Sequence, residues 1–333
     1  MGHVFVTRTI PGRGVEILQA AGHTVDVWPG DLPPPRAALE RALSAADGAL
    51  TMVTDRLDRD LLAGAPRLRV VSNMAVGYDN VDPAVAAKLG IWLTNTPGVL
   101  AETTADMAFA LLLAAARKVN ESERDTRAGG WKTWSPTGYL GQDVFGATLG
   151  IIGMGEIGTA VARRARGFSM RILYHNRKRR PELEAELGVE YAGMDELLAA
   201  ADFVSVHVPL TPETRQLIGH VEFGQMRPQA IFVNTARGTV IDQDALVEAL
   251  RSKTIGGAAL DVTDPEPLPI EHPLYSLPNV LITPHIASAS HATRARMAEM
   301  AARNIVAVLA GEVPPNAVNK PFKARGQAAS AEG

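Results

Sequence analysis

From residue 3 onward, short aliphatic runs alternate with segments whose apolar residues recur at helical spacing. HVFVT, TVDVW, GALTMV, LRVVSNM and IWLTNT read as strands. Between them GRGVEILQAAG, PRAALERALSAA, DRDLLAGA and VDPAVAAKLG read as helices. This alternation indicates a parallel sheet with crossover helices. The first block carries no glycine triplet, so its sheet need not hold a nucleotide. Residues 101–119, AETTADMAFALLLAAARKV, form one long apolar helix, suited to packing on several sides as a connector between domains. The stretch Asn120–Phe145 is charged and then rich in glycine and tryptophan. A connection of that length is usually functional. Trp131 and Trp134 within it are candidates for an oligomer contact, the plainer alternative being that they pack the loop down.

A second α/β block starts at Ala147, with strands TLGII, MRILYH, FVSVHVP, AIFVNTA, GGAALDV and NVLITPH. IGTAVARRARGF, PELEAELG, DELLAA, EFGQM and DQDALVEALRS supply the helices. Six strands fit the two halves of a doubly wound sheet. The chain closes with the helix SHATRARMAEMAARNIVAVLAG and a polar tail whose last ten residues read as disordered.

Composition narrows the possibilities without selecting one. At 333 residues the chain is long enough for two domains, and 46% hydrophobic with 21% charged residues is ordinary for a soluble globular protein. A net charge of −3 offers no bulk attraction to nucleic acid or to an anionic membrane, so neither is expected as a partner. Cysteine is absent, which excludes disulfides, thiolate metal sites and a cysteine nucleophile; no metal site is expected. The N-terminus enters a strand without a cationic and apolar leader, and the run Met107–Ala116 is too short to span a bilayer. A cytoplasmic protein is expected.

The segment GMGEIG, residues 153–158, follows a strand, opens a helix and is followed by a second strand, RILYH. In that context it reads as a dinucleotide cradle. Gly153 permits the tight turn, Gly155 lets the backbone approach a pyrophosphate, and Gly158 lets helix and strand pack closely. Met154, Glu156 and Ile157 fill the turn and open the helix, whose amides would face the phosphates. Past the second strand, Asn176 stands where an acid would hold the ribose hydroxyls of NAD. Arg177, Lys178, Arg179 and Arg180 follow it. A missing carboxylate beside added cations favours a 2′-phosphate, hence NADPH, with NAD still possible.

Three later strand ends carry charge in apolar surroundings: Arg237 in NTARGTVID, Glu266 in DVTDPEP and His285 in ITPHIAS. Open α/β sheets place their ligands at such ends. An arginine can grip a carboxylate in bidentate fashion, and a histidine can pass a proton at neutral pH. A carboxylate against that histidine favours its charged form. Asp261 ends the strand GGAALDV and is expected to shape the cofactor pocket.

Together with VGYDNVD (76–82) and TNTPGVLAETTADMAFALLLAAAR (94–117), these motifs resemble the NAD(P)-dependent D-2-hydroxyacid dehydrogenases over nearly the full length, with the character of glyoxylate and hydroxypyruvate reductases. The resemblance implies an α/β protein of two Rossmann-like domains with doubly wound parallel sheets and an active-site cleft between them. A flavodoxin-like substrate domain would comprise 1–100 plus 288–320, and an NAD(P)-binding domain 101–287. The latter includes the connecting helix and a dimerisation segment, 120–145, and 321–333 would be a flexible tail. Arg237 would bind the carboxylate of a small 2-keto acid and polarise its carbonyl. His285 would be the general acid, paired with Glu266. Backbone at Val76 and Gly77 would hold the carboxylate as well, Leu100 would line the pocket, and Trp134 could reach the partner's site in a homodimer. Further cofactor contacts are implied at Thr104, Val208, Pro209, Thr214, Thr235, Ala236 and Ala287, besides Arg237, Asp261 and His285.

Rival readings can be weighed on single residues. Formate dehydrogenases resemble this pattern but carry Gln where Glu266 stands. Phosphite dehydrogenases, which use NAD, carry a lysine where Val76 stands. A larger 2-keto acid remains an alternative substrate. A corepressor-like dinucleotide sensor would want longer partner-binding segments than the tail supplies.

Overall fold

The computed structural model describes residues 1–325 of the chain, which divide into two compact units. Unit 1 comprises Met1–Leu100 and the segment from Ala289 onward; unit 2 is Ala101–Ser288.

Unit 1 is built on strands β1 (His3–Val6), β2 (Thr24–Val27), β3 (Gly48–Thr51), β4 (Val70–Asn73) and β5 (Trp92–Thr94). They form one parallel sheet in the order β2-β1-β3-β4-β5, which is flavodoxin-like. Helices α2 (Arg36–Ala45), α3 (Arg59–Ala63) and α4 (Pro83–Lys88) connect the strands; Leu39, Leu43, Leu61 and Leu62 bury with Phe5, Val71 and Leu93. Helix α1 (Gly14–Ala20) packs instead on the C-terminal helix, here α12 (His291–Ala310), which crosses β3 and β4. Caps set the helix starts. Asp58 accepts from Leu61 N, Asp82 from Ala84 N and Val85 N ahead of Pro83, and Ser290 from Thr293 N. Gly311, in the left-handed region at φ 90°, ends α12.

Unit 2 opens with α5 (Ala101–Ala116) and α6 (Val119–Arg127). Its strands are β6 (Thr148–Ile152), β7 (Arg171–His175), β8 (Glu190–Tyr191), β9 (Phe203–Val206), β10 (Ile231–Asn234), β11 (Gly257–Leu260) and β12 (Val280–Ile282). They pair in parallel in the order β12-β11-β10-β9-β6-β7-β8, so the chain reverses direction across the sheet between β6 and β9. Helices α7 (Glu156–Gly167), α8 (Pro181–Leu187), α9 (Met194–Ala200), α10 (His220–Gln225) and α11 (Gln243–Arg251) connect the strands. Side chains alternate between the two faces as strand geometry requires. Phe203, Ile231, Val233 and Ala259 bury with α5 and α7, while Val204, Val206, Phe232 and Leu260 bury with α9, α10 and α11.

Two expectations need correction. The stretch Asn120–Phe145, read as one long connection, carries a helix in its first part, α6. That helix has no buried residue, so no apolar stripe marks it in the sequence. The second sheet has seven strands among the described residues, the extra one being the two-residue β8, too short to leave a period. The flexible tail assigned to 321–333 falls mostly outside the described residues. Within them, Arg325 is tied down, its backbone N–H donating to Gly90 O (3.0 Å) and its guanidinium to Leu68 O (3.2 Å). Among the described residues no helix is long and apolar enough to cross a membrane.

Candidate active site

The glycine turn lies at the carboxyl end of β6, beside the point where the strand order reverses. Gly153 has φ 100°, and a Cβ there would come within 2.8 Å of the His207 carbonyl. Only glycine fits both the dihedral and the approach. A Cβ on Gly158 would sit 2.1 Å from Gly153 O, which shows how closely α7 is drawn onto the turn. At Gly155, by contrast, a Cβ would meet nothing within 4 Å. Gly155 is also the N-cap of α7 and supplies no side-chain cap, so the helix presents its first amides uncapped beside open space. This arrangement fits a pyrophosphate. Met154 is fully buried beneath the turn, while Glu156 and Ile157 open the helix.

At the end of β7, Asn176 takes the place of an acid and joins two loops. Its Oδ1 accepts from Met154 N (3.4 Å) and its Nδ2 donates to Lys178 O (2.9 Å). The basic run then divides. Arg179 forms two 2.7 Å hydrogen bonds with Glu184, and Arg180 pairs with Glu182 and donates to Met154 O. Arg177 and Lys178 stay exposed and outside these pairs. The Thr211 hydroxyl, its own backbone N–H and the more distant Arg177 charge hold Glu213 below the usual carboxylate range. Glu213 lies in the loop that follows β9. In that loop are Val208, Pro209 and Thr214, whose hydroxyl donates to Pro209 O (2.6 Å).

The charged residues sit on three successive loops at the same end of the sheet. After β10, the buried Asn234 spans the turn, accepting from Ala236 N and donating to Arg237 O, both at 2.9 Å. Arg237 itself is half-buried, with Nη1 donating to Ala236 O (2.8 Å). Gly238 comes next, where a Cβ would lie 2.0 Å from Thr263 O. This contact presses the Arg237 loop against the loop that carries Glu266. Glu266 is held by Thr263 N on Oε1 (3.1 Å) and meets His285 Nδ1 with Oε2 at 2.8 Å. A carboxylate can only accept here, so Nδ1 donates and Nε2 is left for other chemistry. Thr235 Oγ1, just past the end of β10, is buried with no hydrogen-bond partner among the described residues.

Asp261 is buried, and its two oxygens are taken up by the loop that carries His285. Thr283 Oγ1 (2.5 Å) and Ile286 N (2.9 Å) donate to Oδ1, and Ala287 N (2.7 Å) to Oδ2. Its influence on any pocket therefore runs through that loop. His207, after β9, is a second histidine in this region. Burial pushes its imidazole down to about 3, and Nε2 is hydrogen-bonded to Ser205 Oγ (2.8 Å). It is neutral at working pH and unsuited to donating a proton.

The structure thus brings Arg237, Glu266, His285, the glycine turn, Asn176, Val208, Pro209, Thr235, Ala236 and Ala287 to one end of the unit 2 sheet. Thr104 is buried in α5. Val76 and Gly77, half-buried, follow β4 in unit 1, and Leu100 is its last residue before the boundary. Trp134 is 79% exposed. The 140–142 end of its segment lies at the other end of the unit 2 sheet, where Leu140, Gly141 and Gln142 border the starts of β10, β11 and β12. Asn234, Gly238 and the loop-holding function of Asp261 were not read from the sequence. Only the position of Asn234 immediately before a predicted turn hinted at any of them.

The glycines separate binding from folding. Gly158→Ala forces a clash with backbone and is expected to cost about 2 kcal/mol, a loss of several degrees in Tm. Gly155→Ala has room and should keep its Tm while its affinity for dinucleotide falls at least about tenfold, read by fluorescence titration. Unchanged affinity in Gly155→Ala would remove the pyrophosphate from this turn.

Residues 109–287 match the family described as D-isomer specific 2-hydroxyacid dehydrogenase, NAD binding domain. The chain is 52% identical over 318 residues to a glyoxylate reductase of Korarchaeum cryptofilum, covering 95% of this chain and 96% of the relative. It is 47% identical to a glyoxylate reductase of Thermococcus litoralis, with the same coverage of both chains. Among solved structures, a Thermus thermophilus protein superposes with a TM-score of 0.90 at 49% identity, covering 95% of this chain and 99% of that one. An NADPH-dependent glyoxylate/hydroxypyruvate reductase of Sinorhizobium meliloti, solved with NADP and malonate, gives 0.84 at 33% identity, covering 98% and 99%. With the glycine cradle and the Glu266–His285 pair in place, the chain belongs to the D-isomer specific 2-hydroxyacid dehydrogenases, a family of NAD(P)-dependent oxidoreductases.

Proposed function

We propose that the protein reduces glyoxylate and hydroxypyruvate to their 2-hydroxy acids with NADPH. The observation that carries this reading is the 2.8 Å contact of His285 Nδ1 with Glu266, on a loop pressed against that of Arg237. Similarity to glyoxylate reductases at about half identity supports the substrate class. When bound, the nicotinamide supplies the hydride. Arg237 binds the substrate carboxylate and polarises the carbonyl, and the backbone amides at Val76 and Gly77 take the carboxylate as well. His285 donates a proton from Nε2 to the carbonyl oxygen, while Glu266 fixes the ring and holds a counter-charge beside it. Arg237 and the protonated ring together meet the negative charge that develops on that oxygen. Thr104, Asn176, Thr214, Thr235 and Ala287 join the glycine turn in holding the cofactor.

His285→Ala should lower kcat for glyoxylate by a factor of about 10² to 10⁴ with NADPH binding intact. Near-normal turnover by that variant would end the assignment. Absence of NADPH oxidation at 340 nm with glyoxylate, hydroxypyruvate, pyruvate and phenylpyruvate alike would instead favour a dinucleotide-sensing role.

NADPH preference rests on Asn176 and on the two cations the fold leaves outside its ion pairs, Arg177 and Lys178. Neutralising both should cut kcat/KM with NADPH by about tenfold or more and leave the NADH value little changed. Equal efficiency with both cofactors in the unmutated protein contradicts the preference.

A homodimer is the assembly this reading carries. Val119, Trp131, Trp134, Tyr139, Leu140 and Phe145 expose large apolar side chains along one segment. Leu140 also borders an open hollow of about 420 Å³ at the far end of the sheet from His285. Apolar groups so concentrated are typical of contacts between subunits. Trp134 is then available to a partner's site. Sedimentation equilibrium should give twice the 35.4 kDa chain mass, and Leu140→Asp should shift the protein to monomer. A monomeric unmutated protein with full activity would exclude this arrangement.

A further inference from the structure

The loop after β4 has three consecutive carbonyls tied back to the sheet by three different donors. Ala75 O accepts from Thr96 N (2.8 Å), Val76 O from Asn95 Nδ2 (2.9 Å), and Gly77 O from Asn73 Nδ2 (2.9 Å). In a trans peptide the N–H of the following residue points opposite to the carbonyl. Fixing these three carbonyls therefore turns the N–H groups of Val76, Gly77 and Tyr78 away from the sheet. None of the three N–H groups donates to another described residue. Backbone donors left in this state are costly if buried and useful if an anion meets them.

The two asparagines are themselves anchored. Asn73 is fully buried at the end of β4. Its Oδ1 accepts from Thr51 Oγ1 (3.2 Å), and its Nδ2 also reaches Asn80 Oδ1 (3.1 Å). Asn80 in turn donates to Met52 O (3.1 Å) and Asp55 O (2.9 Å), joining the loop after β3 to the loop after β4. Asn95 follows β5, and its backbone is held at both ends, N–H to Asn316 O (3.3 Å) and C=O from Asn304 Nδ2 (3.2 Å). A side-chain amide suits this task because it donates to a carbonyl without adding charge beside the anion.

We infer that Asn95 and Asn73 are positioning residues for substrate, holding the Val76–Tyr78 amides as a three-donor receptor for the carboxylate of a 2-keto acid. The inference rests on the assignment of the Val76–Gly77 backbone to that carboxylate. It extends the receptor to the Tyr78 N–H and names the side chains that orient it.

Asn95→Asp and Asn73→Asp keep the shape but put an acceptor oxygen where a donor was, so the held carbonyl is repelled and the peptide plane is free to turn. KM for glyoxylate should rise about tenfold or more in each, with kcat within about threefold and the dissociation constant of NADPH unchanged. Asn319→Ala serves as the structural control. That side chain also bridges backbone in unit 1, donating to Pro83 O and Ile91 O, but lies outside the loop network. It should lower Tm without moving KM. If Asn73→Asp fails to fold, Asn95→Asp decides alone. Unchanged KM in Asn95→Asp, or an equal rise in Asn319→Ala, overturns the inference. Glyoxylamide, which lacks the carboxylate, tests the underlying assignment separately. If the unmutated enzyme reduces it as well as glyoxylate, no carboxylate receptor exists. If it strongly prefers glyoxylate while the Asp variants keep their KM, only the role of the asparagines is lost.

Discussion

The arrangement at the carboxyl end of the unit 2 sheet hangs on one buried carboxylate. Asp261 ends β11 and accepts from Thr283 Oγ1, Ile286 N and Ala287 N, which shapes the loop after β12 around it. The same strand end also accepts from the His285 N–H through Asp261 O (2.9 Å). A buried charge is tolerable only when its hydrogen bonds are filled, so loop and carboxylate require each other. Together with the His285 N–H bond, that clasp holds the loop that presents the imidazole to Glu266. The Gly238–Thr263 approach is the corresponding constraint on the other side, setting the Arg237 loop against the Glu266 loop. Three residues on three loops are thereby held to one arrangement by backbone contacts.

Both sheets follow the rule that parallel strands gather ligand chemistry at their carboxyl ends. In unit 2 that end carries the glycine turn and the charged triplet. In unit 1 it carries the amides after β4. The means of holding these groups differ. Unit 2 relies on close backbone approach at glycine and on a buried acid, whereas unit 1 relies on neutral side-chain amides. A side-chain amide orients a carbonyl without placing a charge beside it.

The strands and most helices were legible because each buries a face and so imposes a period on the sequence. Helix α6 escaped because it buries nothing, and β8 because two residues cannot show a period. Arg237, Glu266 and His285 stood out as charges at the ends of apolar strands. Asn73, Asn95 and Asn234 did not, because an asparagine at or just after the end of a strand is also an ordinary turn residue. The division of the basic run was equally hidden. Which arginines pair with Glu182 and Glu184 depends on where α8 lies, not on the order of the charges.

His285 is held with φ at 54°, in the left-handed region that a side chain other than glycine enters at a cost of about 1 kcal/mol or more. The proposed proton donor is thus a residue that its own backbone resists. Glycine at 285 would relax that resistance and remove the proposed proton donor, so backbone ease and the proposed catalysis pull in opposite directions at this position.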